Sequence, residues 1–135
     1  PALTFLTGAA ISFSTGTSWG TMGLLFPLAI PAAAGMGADD PFLAIIVAAV
    51  FSGAVFGDHC SPLSDTSILA STGAASDHID HVRTQMPYAL LVGFVGLGVG
   101  TIPGGFGLSP WISIVAGMVV LATLLGVFGR EAKVA

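Results

Sequence analysis

The chain has 135 residues, of which 54% are apolar and 7% are charged, whereas soluble domains carry about a quarter charged residues. This composition excludes an ordinary water-soluble fold, and three Lys and Arg residues are too few for a basic surface that binds nucleic acid. Charged residues are absent before Asp39, between Pro41 and Gly57, and between Thr84 and Gly129. These gaps are comparable with the roughly 20 apolar residues that a membrane-spanning helix needs. We therefore predict an all-α, polytopic membrane protein with helical spans.

The first segment, residues 1–34, is apolar on both sides of the small polar run Ser14–Ser18. This pattern predicts either a crossing helix that is broken at the run or a re-entrant hairpin with the run at its tip. We favour the hairpin, because each arm is shorter than a full span. The chain opens on Pro1 inside an apolar stretch, so we expect residues 1–135 to be the C-terminal fragment of a longer membrane protein.

The second segment, residues 41–75, is too long for one straight span, because such a helix would measure roughly 51 Å. It predicts a discontinuous helix with its break at Gly57–Asp65, where Pro62 and two aspartates interrupt the apolar run. Proline removes a helical hydrogen bond, and aspartates do not face lipid.

Two further apolar segments, residues 86–102 and 110–128, predict ordinary transmembrane helices joined by a turn that contains Pro103. The basic residues suggest an orientation, since Lys and Arg concentrate in cytoplasmic loops. Arg83 precedes this pair of helices, and Arg130 and Lys133 follow it. Two crossings return the chain to the same side, so we predict a cytoplasmic C-terminus.

The break in the second segment contains residue types that suit a cation. Asp58 and Asp65 supply carboxylates, and each would cost about 2.5–3.5 kcal/mol at the centre of a bilayer unless something compensates it. The hydroxyls of Ser61, Ser64 and Thr66 add further hard oxygen ligands, which favour Na+ over a soft metal. We expect no metal other than Na+ at this site.

Burial and mutual repulsion favour the protonated form of a carboxyl group, so protons would compete with Na+ for the same site. His59 could tune this competition, because imidazole titrates near neutral pH. The alternative for Asp58 and Asp65 is a structural role as helix caps, a position that aspartate favours.

The polar run of the first segment offers Thr15, Thr17 and Ser18 as additional hydroxyl ligands, and Gly16 would allow the backbone to approach an ion closely. Small polar residues also serve close helix packing in membranes, so this alternative stays open. The run Asp77–Arg83 contains two histidines and two aspartates. We interpret it as a solvated loop or a short interfacial helix rather than as a metal site.

Several sequence runs resemble the NhaC-type Na+/H+ antiporter family. They are Gly57–Thr66 (GDHCSPLSDT), Ser71–Ala74 (STGA), Asp77–Gln85 (DHIDHVRTQ) and, as a second signature, Ser14–Thr21 (STGTSWGT). The resemblance implies an inverted-repeat ion-transporter fold with broken helices that meet at the membrane midplane. It implies secondary active transport by Na+/H+ antiport across the cytoplasmic membrane, or in some relatives exchange of malate for lactate with coupled H+ and Na+ movement.

The resemblance also sets expectations about partners. We expect no enzymatic activity and no cofactor, with Na+ and H+ as the transported ions. The partners would be the lipid bilayer, the N-terminal half of the same transporter and a second copy in a homodimer, with no nucleic acid. A less favoured alternative is a membrane-embedded metal-binding or structural subunit, in which the histidines and not the aspartates would be essential.

Overall fold

The computed structural model describes residues 1–128, and this part of the chain is helical almost throughout. The elements are α1 (Ala2–Thr15), α2 (Ser18–Gly35), α3 (Asp40–Cys60), α4 (Asp65–Gly73), α5 (His78–Val95), a π-helical segment (Gly96–Thr101), α6 (Ile102–Gly105) and α7 (Pro110–Phe128). Three stretches of the described residues are long and apolar enough to cross a membrane, namely Asp40–Cys60, His78–Gly105 and Pro110–Val127. The prediction of an all-helical chain is confirmed for these residues, which include three candidate membrane-spanning helices.

The helices break within both polar runs. α1 ends at Gly16, whose φ of 70° is left-handed and whose N–H donates to Ser12 O. Thr17 then caps α2 by accepting a hydrogen bond from Gly20 N at 3.4 Å. α3 ends at Ser61, which is extended, and Ser64 caps α4. Side-chain caps replace the helical bonds that the breaks remove.

α1 and α3 lie parallel and in very close contact. A Cβ atom on Gly53 would collide with the carbonyl of Phe5, and one on Gly57 would collide with the carbonyl of Ala9. The residues of each pair differ by 48 in number, as do Phe13 and Ser61, whose O and Oγ are 2.7 Å apart. Two glycines at a spacing of four allow helix backbones to meet in this way.

α2 folds back along this pair. Ser18, at its start, reaches Asp58 near the end of α3. Leu25 lies beside Gly8, and its Cδ1 would be 3.4 Å from a Cβ there. The small core contains Met22, Leu25, Val50 and Ala54. α1 and α2 thus form a helical hairpin with its turn at Gly16, while its re-entry from one side of a membrane stays a prediction.

The helix after α4 is longer than predicted. It begins at His78 rather than near residue 86, because Asp77 caps it by accepting from the N–H groups of Ile79 and Asp80 at 2.9 and 3.1 Å. The run interpreted as a loop or short interfacial helix therefore forms the first turns of α5. Arg130 and Lys133, on which the predicted orientation depends, lie outside the described residues.

The same helix continues past Pro103, which was predicted to lie in a turn. A π-helical segment precedes this proline, and Pro103 has no N–H with which to continue the normal ladder. The helical path extends to Gly105 before the turn at Gly107, whose φ is 86°.

Candidate cation-binding site

Asp58 is the buried acidic residue near the end of α3, and 3% of its surface is exposed. Its Oδ2 accepts hydrogen bonds from Ser18 Oγ at 3.4 Å and from Thr66 Oγ1 at 3.2 Å. Its Oδ1 is also buried but finds no hydrogen-bond partner within residues 1–128. Hydrogen bonds and compensating charge stabilise a buried carboxylate, and Oδ1 is the atom of this group that is left available to a further ligand.

The two helix breaks bring these groups together. Leu63, between α3 and α4, packs against Gly16 so closely that a Cβ on that glycine would lie 2.5 Å from the Leu63 carbonyl oxygen. Ser18 is the first residue of α2 and Thr66 is the second residue of α4. Both donors to Asp58 therefore come from helix N-termini, whose positive ends favour an anionic group.

The hydroxyls of two serines of the break stabilise its backbone and do not bond to the Asp58 carboxylate. Ser61 Oγ donates to Phe13 O at 2.7 Å and accepts from Leu63 N at 3.1 Å, which ties the end of α1 to the second break. Ser64 Oγ lies 2.7 Å from Thr66 Oγ1 and accepts from Ser67 N. Both serines are fully buried. Their hydroxyls position the backbone and the Thr66 side chain.

The second predicted carboxylate lies elsewhere. Asp65 is in the first turn of α4 and is exposed, and its carboxylate makes no hydrogen bond within the described residues. The cap of α4 is Ser64, so the suggestion that Asp65 caps this helix is wrong. Asp58 is not a cap either, because it bonds to side-chain hydroxyls from within α3.

Three other predicted site residues lie outside the hydrogen-bond shell of Asp58. Thr15 is exposed and donates to Ile11 O at 2.9 Å, and Thr17 serves as the cap of α2. His59 is exposed, and its backbone carbonyl accepts from Gln85 Nε2 at 3.3 Å. The His59 side chain lines a largely apolar cavity of about 730 Å³ between α3 and α5.

One histidine of the run Asp77–Arg83 makes hydrogen-bond contacts with the break between α3 and α4 and with α4 itself. His78 places Nε2 2.8 Å from Pro62 O and Nδ1 3.2 Å from Ser71 Oγ. This ring joins the start of α5 to α4 and to the linker before it. Within residues 1–128, no three His, Cys, Asp or Glu side chains converge as a metal site would require.

Comparison with known protein families gives a match over the residues that form the candidate site. The model of the Na+/H+ antiporter family matches residues 1–102, which include both helix breaks and Asp58. The chain belongs to the Na+/H+ antiporter family. The resemblance of its sequence runs to that family is thereby confirmed.

Relatives of this antiporter chain include an uncharacterised protein of Haemophilus influenzae, 48% identical over 90% of this chain and 23% of the relative. The malate-2H(+)/Na(+)-lactate antiporter of Bacillus subtilis is 40% identical over 62% of this chain and 17% of its own length. The Na(+)/H(+) antiporter NhaC of Alkalihalophilus pseudofirmus is 38% identical over 59% of this chain and 17% of its own length. This antiporter chain thus spans less than a quarter of each of these relatives. No solved structure matches it.

Membership of the antiporter family, together with the three candidate spans, makes the chain part of a membrane protein. α7 lies beyond the matched residues.

Sequence reasoning missed one residue of interest, Ser12. It is fully buried in α1, and its Oγ lacks a hydrogen-bond partner among the described residues. No sequence signal marked it, since only the packing of α1 shows that Phe5, Gly8, Ala9 and Ser12 form its buried face. The Ser12 hydroxyl is buried on that face, whereas Ser14 and Thr15, in the polar run that follows, are exposed.

Proposed function

We propose that this chain carries the cation site of a Na+/H+ antiporter of the cytoplasmic membrane, with Asp58 loaded alternately by Na+ and by H+. The observation that carries the proposal is the buried Asp58 carboxylate, whose Oδ1 has no hydrogen-bond partner within residues 1–128. Ser18 and Thr66 supply hydroxyl oxygens beside it. Carboxylate and hydroxyl oxygens are hard ligands that suit Na+.

Competition at one carboxylate is sufficient for obligatory exchange. The site with a bound Na+ or a bound proton is neutral at Asp58, whereas the empty site carries an uncompensated negative charge. Moving that charge through a bilayer is unfavourable. The transporter therefore changes its facing side only when the site is loaded, and Na+ leaving one side is replaced by protons from the other.

The same proposal includes the membrane arrangement. α1 and α2 form a re-entrant hairpin whose turn meets the break between α3 and α4 near the membrane midplane, as part of an inverted-repeat fold. The C-terminus is cytoplasmic, and the lipid bilayer, the remainder of the transporter and a second copy in a homodimer are the partners. The contact of Gly16 with Leu63 supports the meeting of the two breaks.

A second candidate is carboxylate exchange coupled to H+ and Na+, as the name of the Bacillus subtilis relative describes for that protein. The observation that favours it is the convergence of the N-termini of α2 and α4 beside Asp58. Positive helix ends receive carboxylates in many proteins. Counterflow of labelled malate or lactate, with Na+-driven proton movement as the parallel assay, separates the two candidates.

The test is Na+-dependent proton movement in everted vesicles that contain the full-length protein. We expect Asp58→Asn to abolish exchange, because asparagine cannot be alternately charged and protonated, while membrane insertion is normal. Asp65→Asn is the matched control, since it removes an exposed carboxylate from the same break, and should retain exchange. Full activity of Asp58→Asn would refute the proposal. Loss in Asp65→Asn alone would move the ion site to that residue.

A further inference from the structure

Ser12 differs from most hydroxyl residues of these helices, and it shares its lack of a partner among the described residues with Ser113 of α7. A helical serine or threonine commonly donates to the carbonyl four residues earlier, which satisfies its hydroxyl within the helix. Such bonds, at 2.7–2.9 Å, are made by Ser14, Thr15, Thr21, Ser52, Thr72 and Thr123. Ser12 has 0% of its surface exposed, yet its Oγ is without a partner in residues 1–128.

The register of α1 against α3 places Ser12 at the level of Asp58. A Cβ atom on Gly8 would lie 3.3 Å from Ala54 N and 3.5 Å from Gly53 C. One helical turn later in both parallel helices, the equivalent position in α1 is Ser12, and the peptide opposite it joins Gly57 to Asp58. The collision of a Gly57 Cβ with Ala9 confirms that the register is maintained at this turn.

The same turn of the α1–α3 pair therefore carries two buried oxygens with unused bonding capacity, Ser12 Oγ and Asp58 Oδ1, in the part of the chain that the structure describes. Leaving a buried polar atom without a partner is unfavourable. The other carboxylate oxygen of Asp58, Oδ2, already accepts hydrogen bonds from Ser18 of α2 and Thr66 of α4. A cation bound at the edge of this helix pair, at the level of Ser12 and Asp58, would satisfy both of the remaining oxygens.

We propose that Ser12 Oγ is a coordinating ligand of the transported Na+, together with Asp58 Oδ1, and that it acts on Na+ binding and not on proton binding. This inference rests on the proposed function of Asp58. A proton needs only the carboxylate, whereas Na+ needs several oxygens around it. The hydroxyl of Ser12 therefore sets the preference of the site for Na+ relative to H+.

A purely structural role for Ser12 would be to keep α1 and α3 close, as small residues do in membranes. Alanine preserves that small size and removes only the oxygen. Cysteine also remains compact and replaces a hard oxygen with a soft sulfur, which Na+ binds poorly. These two variants separate coordination from packing.

The experiment measures the Na+ concentration for half-maximal exchange in the full-length protein at alkaline pH, where competition from protons is weakest. We expect Ser12→Ala and Ser12→Cys to raise this concentration about tenfold, as for loss of one bond to a charged group. The maximal rate should stay within about twofold, because Asp58 still exchanges protons. Ser14→Ala and Ser113→Ala are the controls and should match wild type. Ser14 is already bonded to Ala10 O, and Ser113 is buried in α7.

A wild-type Na+ dependence in either inserted Ser12 variant overturns the inference. If Asp58→Asn is inactive while both Ser12 variants behave as wild type, the inference fails and the proposed function stands. If Asp58→Asn exchanges normally, both fail. Equal weakening in Ser113→Ala would overturn the inference, because it would assign the effect to any buried hydroxyl.

Discussion

The close contact of α1 with α3 at Gly57 gives a quantitative prediction for Gly57→Ala. A Cβ at this position would lie 2.8 Å from Ala9 C and 2.9 Å from Ala9 Cα. Non-bonded carbon atoms are normally about 3.5–4.0 Å apart, so α1 and α3 would have to separate by roughly 1 Å. The obstacle is backbone, which cannot rotate away as a flexible side chain does.

Separating α1 from α3 would affect the site, because the next helical turn contains the hydrogen bond that joins the two breaks. Ser61 Oγ is 2.7 Å from Phe13 O, and an added displacement of roughly 1 Å exceeds hydrogen-bond range. The loss of that bond contributes about 1 kcal/mol, and overpacking contributes about 1–3 kcal/mol. We expect Gly57→Ala to lower the free energy of unfolding by about 2–4 kcal/mol as the sum of these terms.

The assay is thermal or denaturant unfolding of the purified full-length protein in detergent, followed by the Na+ dependence of exchange in vesicles. Gly23→Ala is the matched control, because Gly23 is an exposed helical glycine of α2 that faces open space among the described residues. There the substitution should be neutral or slightly stabilising, as alanine favours helix. Equal stability of the two variants would refute the close parallel packing of α1 on α3.

Two further predictions concern the breaks. Gly16→Ala should destabilise the protein by about 2–4 kcal/mol, because its φ is 70° and the linker carbonyl blocks a Cβ. Gly37→Ala, with φ of 82° but open space in the described chain, should cost only the conformational part, about 1–2 kcal/mol; equal losses in chemical denaturation would argue against the contact. His78→Ala should speed hydrogen exchange of the amides of Ser61, Leu63 and Ser64, because the ring no longer bonds to Pro62 O. Unchanged exchange there would show that the histidine does not hold the linker.

Much of the secondary structure could be predicted from sequence, for reasons that are local. An apolar chain in a bilayer must satisfy its backbone internally, which leaves helices as the solution here. Gly16, Pro62 and the surrounding hydroxyl residues mark the breaks, because glycine adopts left-handed φ and proline lacks a donor. The start of α5 was missed, since the capping effect of Asp77 was outweighed by the polarity of the residues after it.

The candidate cation site could be predicted only in part. Residue type identified Asp58 and the hydroxyls that accompany it, Ser18 and Thr66 among them. Residue type could not distinguish Asp58 from Asp65, because both occupy one polar run, and only packing buries the first at the end of α3 while the second is exposed at the start of α4. Ser12 was overlooked because it lies in an apolar stretch, and only the packing of α1 on α3 places it at the level of Asp58.

The sequence by itself determined the membrane character of the chain, the positions of its helix breaks and its membership of an antiporter family, because composition, glycine, proline and short motifs carry that information locally. The tertiary structure alone decided that α1 and α3 lie parallel, that α2 returns along them, and that Ser18 and Thr66 meet the same carboxylate oxygen. The helix packing and the contact of Ser18 with Asp58 depend on residues 40 or more positions apart in the sequence, as does the hydrogen bond of Ser61 with Phe13. Burial then selects one aspartate over the other, since only packing determines which carboxylate loses contact with water.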